Sequence, residues 1–248
     1  MNTVPRWSGR AILVLLAAIM LSSPASSAII VYDNDLDFSD ANNPNGTWSY
    51  LQGNATLPHF TPVPQPQLAL AVANGYWGAS STSLNTSIMR ATANGSVTGL
   101  WSDNDFLSGD MLIRTTDPST GGPTILAWTA PSNGTFTYNG SIWYADAPSG
   151  PGGTDFSLAL NAGPALEFGT VTLAQNRPNA VSMVNGFTPV NVLAGDVVAL
   201  EMSPTPGPPF GRLTGVIFTI DFVPVPEPSS LVLLSLGAIA LLARCRRR

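Results

Sequence analysis

Asn-Gly recurs along this chain, at 45–46, 74–75, 94–95, 133–134, 139–140 and 185–186. At each of these dipeptides the backbone readily takes positive φ and reverses within two residues. A chain reversed so often has room only for short segments. Between the turns lie runs rich in Val, Ile, Thr and aromatic residues. They are separated by Gly, Pro, Asn, Asp and Ser at intervals of roughly 8–12 residues, the spacing of a β-sandwich. The candidate strands are 29–32, 47–51, 67–73, 86–91, 96–101, 111–115, 124–129, 135–138, 141–144, 155–160, 169–173, 180–184, 190–193, 197–202 and 213–222. Nothing between the two ends of the chain keeps a 3.6-residue apolar period with caps, so almost no helix is expected. Residues 135–144 read either as a two-residue hairpin across Asn139-Gly140 or as one strand bulged at Gly140. The proline-rich stretches 58–66 and 203–211 read as extended surface connections, because proline supplies no ladder N–H to a central strand.

The two ends differ from everything between them. Arg6 and Arg10 precede an apolar run at 11–21 and a small, polar stretch at 22–28. Ser26-Ser27-Ala28 fits the small-x-small rule of signal peptidase, so 1–28 reads as a signal peptide and the mature chain begins at Ile29. At the other end Pro226, Glu227 and Pro228 precede an apolar run at 231–243 and then Arg244, Arg246, Arg247 and Arg248. The prolines stop a helix from propagating backwards. The arginines hold the end of the chain in the cytoplasm. As a helix, 229–243 reaches roughly 22 Å, against a hydrocarbon core of about 30 Å. Snorkelling arginines and local thinning cover part of that gap. The domain organisation is therefore 1–28 signal peptide, 29–223 ectodomain, and 224–248 membrane segment. The one cysteine, Cys245, lies among the terminal arginines, so the ectodomain stands on its hydrophobic core without disulfides.

In this order, at the extreme terminus, the Pro-Glu-Pro step, apolar run and Arg cluster resemble the sorting signal of PEP-CTERM proteins. The resemblance implies a substrate of exosortase, an integral-membrane cysteine protease or transpeptidase. It also implies a host that makes exopolysaccharide or biofilm. From about 126 to 222 the order of features is similar to a recurring domain of the same proteins. Trp128-Thr-Ala-Pro-Ser-Asn-Gly134 stands at a strand end and turn, Leu193-Ala-Gly-Asp-Val-Val198 at a turn into a strand, and Thr219-Ile-Asp-Phe222 in a closing strand. Asn43-Pro-Asn-Gly-Thr-Trp-Ser-Tyr50 matches that family's N-terminal pattern. What this implies is an all-β, jelly-roll-like sandwich of the kind found in carbohydrate-binding modules. The family's Tyr-Asp-x-Thr step is absent, since Phe210-Gly-Arg-Leu-Thr214 lacks the Asp.

Charge narrows the partners. Residues 29–223 hold four arginines, no lysine and fourteen acids, a net of −10 against −5 for the whole chain. No basic surface exists to neutralise phosphates, which excludes nucleic acid as a partner. An acidic surface favours neutral partners or divalent cations. His59 is the only histidine and sits in a proline-rich connection, so a His-based triad or zinc site has no support. Asp33, Asp35 and Asp37 form the densest acid cluster. Alternate carboxylates on an extended segment suit calcium, although the Gly and final Glu of an EF-hand loop are missing. The other reading is solvated turn residues. Tyr76 and Trp77 follow an Asn-Gly turn and are the aromatic pair best placed for glycan contact, with core packing as the alternative. Trp48, Tyr50, Trp101, Trp128, Trp143 and Tyr144 lie in apparent strands and are expected in the core.

The sequence thus reads as an exported, non-enzymatic protein with no cofactor beyond that calcium expectation. Its partners are signal peptidase, exosortase, the membrane and extracellular polysaccharide, and its place is the cell surface or matrix. The competing reading is a secreted carbohydrate-binding module or glycoside hydrolase-like enzyme, which in its catalytic form needs two carboxylates flanking a cleft.

Overall fold

Two antiparallel sheets face each other across a core of aromatic and branched side chains. The structure, a computed structural model, describes residues 27–61, 74–95, 105–115, 121–146, 152–186, 188–206 and 212–225, with Gly237. The expected strands 67–73 and 96–101 and nearly all of the leader and tail lie outside the described residues. The first sheet contains β1 (Ile30–Asp33), β4 (His59–Phe60), β5 (Tyr76–Gly78), β6 (Ser87–Arg90), β7 (Met111–Arg114), β9 (Gly134–Tyr144), β12 (Val181–Val184), β13 (Val190–Val192) and β15 (Leu213–Pro224). The second contains β2 (Trp48–Gln52), β3 (Ala55–Thr56), β8 (Thr124–Thr129), β10 (Thr154–Leu160), β11 (Ala165–Val171) and β14 (Val197–Pro204). No α-helix falls within the described part of Ile29–Pro224, only a 3-10 turn at Arg177–Asn179. From β8 onward the chain passes repeatedly between sheets, giving a jelly-roll-like sandwich. The chain divides into two units, Ile29–Pro224 and Met1–Ala28 with Val225–Arg248, and the sandwich is the first of these.

Period-two alternation accounts for the main core. Phe136, Tyr138 and Ile142 of β9 point inward, as do Phe156 and Leu158 of β10 and Val198, Leu200 and Met202 of β14. Val216, Phe218, Ile220 and Phe222 of β15 join them. Trp48 and Trp128 are fully buried among these side chains, and Tyr32 packs on Trp128 with ring centroids 5.5 Å apart. Burying each such side chain contributes about 1.5–3 kcal/mol. Residues 135–144, read from the sequence as a hairpin or as one strand bulged at Gly140, form one strand without the bulge. It pairs without interruption from Gly134↔Pro224 to Tyr144↔Thr214.

One end of the first sheet is buried on both faces. Its outer side carries a second core of Tyr76, Leu84, Met89, Phe106, Leu112 and Trp143. Gly215 is required here. Any Cβ at that position would run into the Trp143 indole, which lies flat over the β15 backbone.

β15 is the spine of the first sheet, with β9 along its whole length on one side. On the other side two short strands share it: β7 pairs with Leu213–Val216 and β1 with Thr219–Phe222. Asn34 closes the break between them. Its backbone N–H donates to the Phe218 carbonyl (3.1 Å) and its Oδ1 accepts the Phe218 N–H (2.7 Å). Its Nδ2 reaches Met111 Sδ at 3.2 Å, and the residue is 1% exposed. A primary amide carries the donor and acceptor of a peptide group, so asparagine can stand in for a missing rung. The same repair occurs between β12 and β13 on the far edge of β9. There Asn185 Oδ1 accepts the Tyr138 N–H (3.1 Å) while its Nδ2 donates to the Thr188 carbonyl (3.0 Å). Asn43 serves β2 likewise, accepting the Tyr50 N–H and donating to the carbonyls of Tyr50 and Leu57.

An Asn34→Ala variant leaves the Phe218 N–H buried without an acceptor. It should lower unfolding free energy by about 2–3 kcal/mol in urea titrations. Asn185→Ala, at a more exposed break, should cost about 1 kcal/mol. Equal, negligible losses at both positions would refute the repair role.

Candidate functional site

Tyr76 and Trp77 are not a sugar platform. They form β5, paired with β4 through His59↔Trp77 and with β6 through Trp77↔Ile88, where both faces of the sheet are covered. Alternation sends Tyr76 into the second core and Trp77 into the main one, 0% and 5% exposed. Their polar edges are used internally: Tyr76 Oη donates to the Ser80 carbonyl (2.6 Å) and Trp77 Nε1 to the Ser39 carbonyl (2.7 Å). His59 lies in a two-residue edge strand with its ring edge-on to Trp77 (4.8 Å between centroids) and Nε2 3.8 Å from Asp40 Oδ1. Trp48, Tyr50, Trp128, Trp143 and Tyr144 are buried as expected, and Trp101 lies outside the described residues.

Asp33, Asp35 and Asp37, where the sequence suggests calcium, direct their carboxylates to different hydrogen-bond donors. Asp33 Oδ1 accepts the N–H groups of Asp35 (2.9 Å) and Leu36 (3.1 Å), an Asx turn. Asp37 Oδ2 accepts from the Asp33 N–H and Trp48 Nε1. Asp35 Oδ1 accepts the Met111 N–H at 3.2 Å. Among the described residues no three His, Cys, Asp or Glu side chains group so as to hold a metal ion. The Asp35 carboxyl is pushed up to about 7, first by burial and then by Asp33 and Asp110, with the Met111 N–H and Arg90 pulling the other way.

Other acids are tied into structure. Arg177 lies over the Trp143 ring at 4.1 Å, pairs closely with Asp110, and approaches Asp105 at 3.5 Å. Its own N–H donates to Asp105 Oδ2 (2.6 Å), so the 3-10 turn latches the second core shut. Arg212 stands 3.6 Å from Asp146. Glu167 points inward from β11 and hydrogen-bonds Tyr138 of the opposite sheet and the Val184 N–H. Burial raises both pKa values, and the Tyr138 phenol is pushed up to about 12.

What remains open is a groove of about 680 Å³ on the outer face of the first sheet. Thr135, Thr137 and Asn139 of β9 form its floor together with Asp221 and Val223 of β15. The register places Thr137 beside Asp221 and Thr135 beside Val223. Ile29 stands on one side, and Val184, Gly186 and Pro189 around the β12–β13 connection form the other. The volume is in the range of small-ligand sites. Its polar groups are hydroxyls, an amide and one carboxylate, with no cation among the described residues that line it. The sequence signal was present as alternating polar residues on β9. Finding the groove also needed knowledge of which half of that face the second core leaves uncovered.

Residues 224–248 match the PEP-CTERM protein-sorting motif, a stretch that includes Pro226, Glu227, Pro228 and the four terminal arginines. The match marks the chain as an exported protein sorted through the membrane to the cell surface or extracellular space. Among the described residues no helix is long and apolar enough to cross a membrane, and the apolar run at 231–243 lies almost wholly outside them. Comparison with curated proteins gives no match. Among solved structures, the chain is similar to the C-terminal CBM6 of a laminarinase from Zobellia galactanivorans, with 20% identity, 44% of this chain and 87% of that one covered, and a TM-score of 0.25. It is similar to the K3 cleaved adhesin domain of Lys-gingipain from Porphyromonas gingivalis, with 12% identity, 79% and 98% covered, and a TM-score of 0.32. It is also similar to a cyclase from Fischerella, with 10% identity, 84% and 89% covered, and a TM-score of 0.28. At such TM-scores the fold assignment rests on the sheets of this chain.

The raised Asp35 carboxyl gives a signed expectation. The folded protein holds that proton more tightly than the unfolded chain, so its contribution is fully present below about pH 4 and falls as pH rises to about 7. Asp35→Asn keeps an acceptor for the Met111 N–H and removes the charge. The variant should be more stable than the parent by about 1–2 kcal/mol at pH 8, after screening by solvent, and nearly equal to it at pH 4. Melting temperature measured across that interval checks both the sign and the window.

Proposed function

We propose that this protein is a non-catalytic component of the cell surface or extracellular matrix, delivered through signal peptidase and exosortase, whose outer-sheet groove contacts a neutral polysaccharide. The sorting motif at 224–248 carries the reading. It is supported by the character of the groove, where Thr135, Thr137 and Asn139 offer uncharged hydrogen-bonding groups between aliphatic walls. The excess of acid in 29–223 disfavours anionic polymers through like-charge repulsion. A hydrolase is disfavoured because Asp221 is the single carboxylate among the described residues of the groove, and glycoside hydrolysis takes two. The remaining acids described above serve in turns, ion pairs and inter-sheet hydrogen bonds.

Isothermal titration of the full chain in detergent against soluble neutral and anionic glycans tests the contact. Binding should be confined to neutral chains. A Thr137→Val, Asn139→Ala double variant, removing hydrogen-bonding groups worth about 1 kcal/mol each, should weaken it about thirtyfold while melting unchanged. Absence of binding to every neutral glycan tried would remove the polysaccharide role. Mass spectrometry of the protein from its host tests delivery. The mature chain should begin at Ile29 and end near 226–228, and a chain that keeps its terminal arginines at the cell surface contradicts processing.

A further inference from the structure

The strands end in two unlike sets of turns. At one end Arg177 and Arg212 are paired with Asp105, Asp110 and Asp146, and Arg114 closes β7. At the other end the turns 130–134, 160–166 and 192–196 form one hydrogen-bonded platform. Ala194 N–H donates to Asn133 Oδ1 (2.9 Å), Gly195 N–H to the Ala130 carbonyl (2.9 Å), and Asn161 Nδ2 to Asp196 Oδ1 (2.8 Å). Asp196 is the only charged residue in those three turns, and its other oxygen accepts the Leu193 N–H at 2.7 Å. The backbone N–H of Leu193 and the amide of Asn161 hold that carboxyl below its usual range. Beside these polar groups the platform turns apolar side chains outward, with Leu193 65% exposed and Pro131, Pro164 and Leu166 also exposed. The chain enters and leaves the sandwich here. Gly134 pairs with Pro224 and Ile30 with Phe222, and Ile29 is 64% exposed.

Six residues, 225–230, separate Pro224 from the apolar run that begins at Leu231. At full extension they span about 20 Å. The headgroup layer of one leaflet is itself about 5–8 Å deep. A folded body on so short a leash presents whichever end carries the attachment, and the only charged side chain in the three turns at that end is Asp196, whose two oxygens accept from Asn161 and the Leu193 N–H. We infer that the platform of Ile29, Ile30, Pro131, Pro164, Leu166 and Leu193 rests on the lipid surface while the tail is attached, with aliphatic side chains entering the interface. The inference rests on the membrane reading of the tail. The contact is apolar and does not depend on anionic lipid, because the platform offers no basic side chain to it.

The test uses the full chain with Cys245→Ser, reconstituted in phosphatidylcholine vesicles. A polarity-sensitive thiol dye is placed by Leu193→Cys on the platform or by Leu173→Cys, 47% exposed near the opposite end. Emission at 193 should be blue-shifted, and quenching by acrylamide should be at least about twofold weaker than at 173. Equal quenching at both sites in a chain that floats with the vesicles overturns the inference and leaves the tail reading standing. A chain that fails to float removes the tail reading, and the inference falls with it. Shielding at 193 that appears only when bacterial membrane proteins are present assigns the platform to a protein partner and overturns the lipid contact.

Discussion

Hydrogen bonding along β15 is the constraint from which the rest of the sandwich follows. This strand is flanked on one side by β9 for its full length and on the other by two strands too short to cover it. A buried peptide group without a partner costs more than a typical native hydrogen bond contributes, so the break between β1 and β7 has to be closed from within. Asn34 does this with a side chain that copies a peptide. Water in its place would have to enter a region packed by Met111 and Phe218. The solution also explains how a protein without disulfides can build a wide sheet from short pieces. Three asparagines, Asn34, Asn43 and Asn185, carry hydrogen bonding across places where the ladder stops.

The second core has a different consequence. By covering one half of the first sheet on its outer side, Trp143, Leu112 and their neighbours turn a two-layer sandwich into a partly three-layer one. The uncovered half becomes a groove with a polar floor. Charge is segregated along the same axis. The described arginine pairs gather where the second core is latched, and the turns of the other end carry one carboxylate, Asp196, and no cation. The described Arg–Asp pairs of the fold therefore lie at one end, and the turns of the other hold together through amides and one carboxylate.

Much of the architecture was legible in the sequence because alternation and turn chemistry are local. Residues 124–129 form a strand as read, and β14 and β15 each extend only two residues beyond their expected ends. The site was less legible because exposure is not local. Tyr76 and Trp77 look available beside a turn, and become buried only because β4 and β6 pair with them and Phe60, Leu84 and Met89 cover the second face. The aspartates at 33, 35 and 37 have spacing suited to a cation, but the backbone turns each one toward a different N–H. β4 and β11 show the limit of propensity. Prolines on both sides of His59–Phe60 hid an edge strand, and β11 runs over 165–171 where 169–173 was expected, since Glu167 and Gly169 masked its start.

Asn185 holds one wall of the groove through the loop that follows it, and it is followed by Gly186 at φ +64. Asn-Gly is also the dipeptide at which a backbone nitrogen attacks the preceding amide most easily, releasing ammonia and leaving aspartate or isoaspartate after hydrolysis. Aspartate at 185 could still accept from Tyr138 but could no longer donate to Thr188, and isoaspartate would lengthen the main chain itself. An extracellular protein has no cytoplasmic repair to reverse that change. Deamidation at this peptide, or at Asn139-Gly140 in the floor, therefore gives the groove a chemical age that the hydrophobic core does not share.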